Sequence, residues 1–231
     1  MRMKRISVIT INYNNSIGLK STIESVINQN YKDVEYLVID GGSNDESISI
    51  LNYYNEGINF FCSEPDNGVY DAMNKGLDKC TGEFVVFMNS GDTFASNTVL
   101  SEISSLLTDY DFIYGDKIDS LSNSIIKAKP HTTLNSGIMF ACHQSMIFRK
   151  SELRYDLKYK IYSDYDFVCK NFKKYNRLYY FNKPISIYEG GGISAQVTWQ
   201  KRIDKYSAVF NHFGFYCFLK SVINRVVKGV E

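Results

Sequence analysis

Glu83-Phe84-Val85-Val86-Phe87-Met88-Asn89-Ser90-Gly91-Asp92 reads as a buried strand that stops in a short polar turn carrying a carboxylate. Its apolar run, residues 83–88, has the length and side-chain content of a strand covered on both faces. Sheets of such strands present ligands where the chain leaves the sheet. Working outward, three more segments make the same transition. Residues 6–11 run into Asn12-Tyr13-Asn14-Asn15, residues 36–39 into Asp40-Gly41-Gly42-Ser43-Asn44-Asp45, and residues 60–62 into Glu64-Pro65-Asp66-Asn67-Gly68. Four strand ends rich in acids, amides and glycines are expected to converge on one polar site for a nucleotide and a metal.

Between these strands lie helical patterns. Residues 18–29 carry Leu19, Ile23, Val26 and Ile27 at helical spacing. Ser43-Asn44-Asp45-Glu46 has the form of a capping box, which predicts a helix running through Ile48 and Leu51. Residues 69–79 carry Val69, Met73 and Leu77 on one face, and residues 99–107 form another helical stretch. Further strands are expected at residues 35–40, 59–63 and 111–114. This alternation predicts an α/β fold, a mostly parallel sheet with helices on both faces. After residue 115 the rhythm breaks, with an excursion or hairpin at 116–129, a helix at 163–173, a strand at 177–181 and a helical tail from 200.

The chain has 231 residues, 44% of them apolar and 22% charged, which suits a folded domain with a real core and argues against disorder. The reading gives one domain over residues 1–198 and a basic helical tail over 199–231. The net charge of +1 hides an asymmetry: residues 1–98 hold 7 Lys/Arg against 13 Asp/Glu, and the remainder holds 19 against 12. An acidic front suits cation-assisted chemistry, and a basic rear suits an anionic partner such as a pyrophosphate or a membrane surface. The 5 cysteines are odd in number and without metal-ligand spacing, so neither a disulfide framework nor a zinc site is expected. The expected location is the cytoplasm, with peripheral association to the inner face of its membrane. The apolar run after the basic first residues is too short for a signal segment, and no run reaches the roughly 18 residues that span a bilayer.

Individual motifs each have a sharp and a bland reading. Tyr13 beside Asn12 and Asn14 could stack on a nucleobase, or the Asn residues could simply make a turn. Asp40 and Asp45 exceed what a helix cap needs. Asp71, Asn74 and Lys75 share one side of a helix, as a site wall or as a solvated pair. Asp92 is a firm oxygen ligand for Mn²⁺ or Mg²⁺, which take one or two carboxylates plus substrate phosphates. His143 with Gln144 is a candidate acceptor contact or a structural pair. In Asp164-Tyr165-Asp166 a carboxylate opens a helix, as a cap or as a general base. Gly190-Gly191-Gly192-Ile193-Ser194 is a ligand-friendly loop or a plain turn. The tail alternates Lys201, Arg202, Lys205 and Lys220 with aromatic and aliphatic residues. It fits an anionic membrane or a core-facing helix with a basic rim.

Taken in order, these motifs resemble the family 2 glycosyltransferases of GT-A fold, in particular short bacterial enzymes of polysaccharide or O-antigen assembly. The resemblance covers roughly residues 5–195. It rests on residues 6–14, 38–45, 64–76, Asn89-Ser90-Gly91-Asp92, Gly115-Asp116, His143-Gln144 and Ser163-Asp164-Tyr165-Asp166. It implies inverting transfer of a sugar from a nucleotide-sugar donor, a UDP-hexose or UDP-N-acetylhexosamine by the family's commonest base. The implied acceptor is a hydroxyl of a lipid-linked saccharide, and nucleic acid is not an expected partner. Thr10, Tyr13, Asp40 and Asp66 would hold the nucleobase and ribose. Asn14, Gly42, Asn74, Lys75, Asn89, Ser90 and Gly91 would complete the donor site. Asp92 would be the metal end of a DxD-like motif, Asp164 the base, and His143, Gln144 and Asp166 acceptor contacts. Two departures stand out: Ser90 replaces the usual first acid, and Ser163 stands where many relatives carry Glu. A nucleotidyltransferase would need a Gly-rich basic loop after the first strand, which is absent. A binding or scaffold protein with a decayed site is the remaining rival, and Ser90 is its support.

Overall fold

The computed structural model describes residues 3–190 and 198–228, with side-chain detail to residue 223. The first half alternates strand and helix as the periodicity predicts: β1 (Ile6–Asn12), α1 (Ser16–Ile27), β2 (Val34–Asp40), α2 (Ser47–Tyr53), β3 (Phe60–Ser63), α3 (Val69–Lys79) and β4 (Phe84–Phe87). There follow β5 (Thr93–Phe94), α4 (Val99–Ser104), the hairpin β6 (Phe112–Asp119) and β7 (Ser124–Ile126), β8 (Met146–Arg149), α5 (Ser163–Lys174), β9 (Leu178–Tyr188) and α6 (Trp199–Lys228).

The described strands form one nine-stranded sheet in the order β3-β2-β1-β4-β8-β6-β9-β5, with β7 paired to β6. β1 to β4 pair in parallel. β8 then enters antiparallel to both β4 and β6, β9 runs parallel to β6, and β5 antiparallel to β9. The parallel character that the alternation predicts thus belongs to the first four strands, and the sheet as a whole is mixed.

Strict alternation along the strands builds two cores. Ile6 and Val8 of β1 and Phe84 and Val86 of β4 point to one face, where Leu19, Ile23, Leu51 and Leu100 of α1, α2 and α4 cover them. Ile9, Ile11, Val85 and Phe87 point to the other, under Met73 and Leu77 of α3 and Phe167 and Val168 of α5. α3 lies close to the sheet because Gly76 has no side chain: a Cβ there would sit 2.5 Å from Ile9 Cγ2.

Two local expectations need correction. The stretch Ser43-Asn44-Asp45-Glu46 does not form a capping box, since α2 starts at Ser47 with Glu46 before it and no side-chain cap from that residue. Ser43 Oγ instead donates to the buried Asp40 carboxylate (2.6 Å), a charge-assisted bond stronger than a cap. Asp45 ties two helix starts together, accepting from Ser47 N (3.0 Å) and Ser16 N (2.9 Å). The tail is one run interrupted at Gly214, whose φ of 79° and ψ of −178° break it into two pieces. Its first piece docks on the body through the buried Ala208 and Val209. Of the glycine-rich loop, Gly190 has a φ of 86°, and Gly191, Gly192, Ile193 and Ser194 lie outside the described residues.

Candidate active site

The ends of β1, β2, β3 and β4 open on a single cavity of about 1160 Å³, lined on its far side by the starts of α5 and α6. The convergence of four strand ends on one polar site is therefore met. The turn after β4 is held from behind by α1. Thr22 Oγ1 lies 2.7 Å from the Asp92 carbonyl and accepts from Gly91 N–H (3.0 Å). Ser90 Oγ donates to the Asn15 carbonyl (3.1 Å), so the residue at the usual first-acid position is turned toward α1.

Asp92 is only 5% exposed. One of its oxygens accepts from Glu189 N–H (3.0 Å). Glu189 arrives there because β5 pairs antiparallel with β9 at Thr93 and Ile187, which brings the end of β9 alongside the turn. The Glu189 side chain then lies directly over Gly91, where any Cβ would overlap Oε2. Gly91, with φ of 101°, thus serves the site by making room. Burial pushes the Asp92 carboxyl up to about 7; the Glu189 N–H opposes that, the Glu189 carboxylate adds to it and Lys117 opposes it. Two adjacent carboxylates on a cavity wall are the hard-oxygen donor set that Mg²⁺ or Mn²⁺ takes together with substrate phosphates. Asp92 and Glu189 are oxygen donors of the kind such an ion takes, while among the described residues no group of three or more His, Cys, Asp or Glu is placed to hold one.

At the β1–β3 end, Tyr13 is 67% exposed and its ring borders the cavity. Gly41 lets the Asp66 carboxylate approach, since a Cβ on it would sit 2.5 Å from Asp66 Oδ2. Asp66 is braced by Gly68 N–H (2.8 Å), and Gly42 also lines this end. Three residues expected here do not line the cavity. Asp40 is fully buried and accepts from Asn12 Nδ2, Ser43 N and Oγ, and Ser63 Oγ, at 2.5–2.9 Å. Burial works to raise its carboxyl, but those bonds prevail and hold it below the usual range. Asp40 thus joins β1, β2 and β3 rather than facing a ligand. Thr10 is buried and donates to the Met88 carbonyl (2.7 Å). Asn14 ties its loop to the next through Ser43 Oγ and Asn44 N, both at 2.8 Å.

At the other end, Asp164 sits in the first turn of α5, where the helix dipole favours an anion. It accepts from Tyr165 N–H (2.8 Å), with Tyr70 Oη 3.4 Å away. Burial pushes its carboxyl up to about 6, against these bonds and the nearby Lys201. Tyr155, stacked between Tyr70 and Phe167, meets His143 Nε2 at 2.9 Å. His143 is 6% exposed, and burial alone lowers it to about 4, so the ring is neutral near pH 7. Its Nδ1 has no protein partner and its side chain lines the cavity beside Gln144.

Three further candidates are structural by placement. Asn74 clamps the Tyr155 backbone with both amide atoms, at 2.8 and 3.0 Å. Lys75 reaches Glu64 (2.8 Å) and the Pro65 carbonyl (3.2 Å), bracing the loop before α3. Asp166 is buried and pairs with Lys170 (2.6 Å) and His212 (2.8 Å), fastening α5 to α6. The cavity instead brings together Tyr13, Gly42, Asp66, Asn89, Ser90, Asp92, His143, Gln144 and Asp164 from the expected set. Sequence reasoning missed Glu189, Lys117, Tyr70 and Tyr162 as lining residues; the expected strand ended at residue 181, so nothing in the pattern pointed to Glu189.

Residues 7–169 match the family described as Glycosyl transferase family 2. An uncharacterized glycosyltransferase of Mycobacterium tuberculosis is 32% identical over 177 residues, covering 71% of this chain and 68% of its own. S. aureus TarS in complex with UDP-GlcNAc is similar in structure, with a TM-score of 0.76 at 16% identity over 97% of this chain and 73% of that one. The chain spans 43% of a longer TarS structure. Glucosyl-3-phosphoglycerate synthase from Mycobacterium tuberculosis, solved with Mn²⁺, UDP and glucosyl-3-phosphoglycerate, gives a TM-score of 0.62 at 12% identity over 92% and 81% of the two chains. These structures share the GT-A fold of this chain.

Proposed function

The chain belongs to glycosyl transferase family 2, and from that premise we propose that it transfers a sugar, with inversion, from a nucleotide-sugar donor to an acceptor hydroxyl. The observation that carries this reading is a single cavity bordered by Tyr13 and Asp66 at one end, Asp92 and Glu189 in the middle and Asp164 at the other.

In the proposed arrangement Tyr13 stacks on the nucleobase and Asp66 takes the ribose hydroxyls. Asp92 and Glu189 would hold Mn²⁺ or Mg²⁺, which supplies positive charge to the departing diphosphate. Asp164, as a carboxylate, accepts the proton of the acceptor hydroxyl while the oxygen attacks the anomeric carbon opposite the nucleotide. Asn89, Ser90 and Gln144 line the same cavity and would read sugar hydroxyls, Ser90 through the acceptor capacity left on an Oγ that already donates to the Asn15 carbonyl. Alignment of the two substrates supplies much of the rate. The rival reading, a decayed site, drew on Ser90; the Glu189 carboxylate on the same cavity wall as Asp92 supports the transferase reading against it.

We assign the acceptor to lipid-linked saccharides of polysaccharide assembly. Support comes from α6, whose Trp199, Ile203 and Phe210 are exposed at 78%, 61% and 50% and suit a membrane surface. Among the described residues no helix is long and apolar enough to cross a membrane.

The test is release of nucleoside diphosphate from UDP-, GDP- and dTDP-sugars with Mn²⁺, with and without saccharide acceptors. Acceptor-dependent release is expected, and Asp164→Asn should bind nucleotide but not transfer. Nucleotide binding without turnover across the panel would return the decayed-site reading.

A further inference from the structure

We propose that Thr22 of α1 is a positioning residue for the donor: its buried hydroxyl sets the Asn89–Asp92 turn from behind and so aims the Asp92 carboxylate toward the donor diphosphate and its cation. This rests on the transferase reading above and goes beyond it, to a residue outside the cavity lining.

Asn15, Thr22, Ser25 and Gln29 fall at whole-turn spacings, so they share one side of α1 and its flanks. The chain leaving β4 is laid along that side. Asn15 Nδ2 donates to the Ser90 carbonyl (3.3 Å), Ser25 Oγ accepts from Phe94 N–H (3.1 Å) and Gln29 Nε2 donates to the Ser96 carbonyl (2.8 Å). Gln29 Oε1 also accepts from Leu100 N–H (3.2 Å) in α4. Between them Thr22 meets the turn that carries Asp92. A threonine within a helix can donate back to the carbonyl one turn earlier, and the Gly18 carbonyl is 3.0 Å from Thr22 Oγ1. The shortest contact of that oxygen is instead the Asp92 carbonyl at 2.7 Å, with the Asn89 carbonyl at 3.2 Å. A hydroxyl both donates and accepts. Thr22 therefore donates to the turn while accepting from Gly91 N–H (3.0 Å).

The stripe divides in two. Ser25 and Gln29 fasten Phe94, Ser96 and Leu100, beyond the site. Thr22 fastens residues 89–92, where Asn89, Ser90 and Asp92 all line the cavity. Gly91 is held between Thr22 Oγ1 behind it and the Glu189 carboxylate in front, where a Cβ would overlap Oε2. A slip of the turn therefore moves Asp92 and meets Glu189 at once. Thr22 is fully buried, so removing its hydroxyl leaves Gly91 N–H and the Asp92 carbonyl short of a partner that water does not readily replace. The turn must then shift to find others, and small misplacements at a reacting centre carry large losses.

Affinity for the tightest-binding of UDP, GDP and dTDP, each with Mn²⁺, is measured by calorimetry on the full chain, beside the urea midpoint. Thr22→Val keeps the shape and removes the hydroxyl, and it is expected to weaken nucleotide binding by at least about tenfold. Thr22→Ser, which restores a hydroxyl, should recover most of that loss. Gln29→Met removes the bonds to Ser96 and Leu100 at similar size. It should lower the urea midpoint and leave nucleotide affinity unchanged. A folded Thr22→Val that binds nucleotide like the wild type overturns the inference. So does a Gln29→Met whose affinity falls as far as that of Thr22→Val, since stability alone then explains both. If Thr22→Val does not fold, Thr22→Cys, of similar volume but a weak hydrogen-bonding partner, is held to the same outcomes. A wild type that binds none of these nucleotides sinks the transferase reading itself, whereas intact wild-type binding with no effect at Thr22 sinks only this inference.

Discussion

At the scale of single residues, Asp164 as the proposed base would link pH to both rate and stability. Its carboxyl stands at about 6 in the folded chain against an ordinary 3.8. A base must be ionised, so transfer should fall as pH drops through 6 and be flat above it. Stability runs the other way. The folded state holds this proton more tightly than the unfolded state, so the contribution is full below 3.8 and is lost as pH rises through 6. Asp164→Asn should therefore melt higher than the wild type at pH 8, by roughly 1–3 kcal/mol, while losing transfer. Equal melting at pH 8 would mean that the carboxylate is not desolvated. Glu189 gives a second prediction. Glu189→Gln should weaken Mn²⁺ binding, read by electron paramagnetic resonance, by at least about tenfold, since a hard cation loses an anionic ligand. Unchanged affinity would leave Asp92 as the sole protein anchor. These two residues also mark what a sequence discloses. Asp92 and Asp164 were legible because each sits where an apolar run ends or a helix opens. Asp40 had the same signature, yet its carboxylate is consumed by three neighbouring side chains, and a one-dimensional pattern does not distinguish a spent acid from an open one. Glu189 is 97 positions from Asp92, and the β5–β9 pairing brings the two into hydrogen-bond contact.

At the scale of elements, the helices were legible by their faces and the contacts between elements were not. The apolar stripe of α3 was apparent from Val69, Met73 and Leu77, but the closeness of the helix to β1 depends on Gly76. Gly76→Ala sets two effects against each other. Alanine improves helix propensity by about 1 kcal/mol. Its Cβ would lie 2.5 Å from Ile9 Cγ2 in a packed core, and overpacking of that kind costs about 1–3 kcal/mol. Packing wins because Ile9 is fully buried and has no free direction to move. The urea midpoint should fall, and a rise would show that α3 can lift from the sheet at little cost. α6 teaches the complementary lesson. Its mixture of cations and aromatics suited a membrane-lying helix. Folding sorts them, with Ala208 and Val209 into the core, Lys201 and Lys205 to the cavity, and Trp199, Ile203 and Phe210 to solvent. That sorting depends on where the helix docks and on the break at Gly214, neither of which composition carries.

At the scale of the whole molecule, the site belongs to the entire sheet. The acidic strand ends come from the first half of the chain, Glu189 from just beyond β9, and Asp164 and the cations from α5 and α6. The alternation of strands and helices disclosed the first half of this plan; the mixed half, where β8 and β5 run against their neighbours and β8 enters between β4 and β6, follows from long-range pairing and was not readable from periodicity. A nucleotide bound with its cation in the proposed way would touch segments far apart in sequence, and its binding energy would add to the stability of all of them together. At a nucleotide concentration of 100 times Kd the folded state gains about 2.7 kcal/mol. For a chain of this size 1 kcal/mol moves the melting temperature by about 2–4 °C, so UDP with Mn²⁺ should raise a single transition by roughly 5–11 °C. UDP alone should do less, because the diphosphate then meets the Asp92 and Glu189 carboxylates without a cation between them. A shift equally large without metal would remove those two residues from the diphosphate site. A transition that split in two, with only the lower-melting part responding, would mean that the strand-end half binds the nucleotide by itself and that the sheet does not couple it to Asp164.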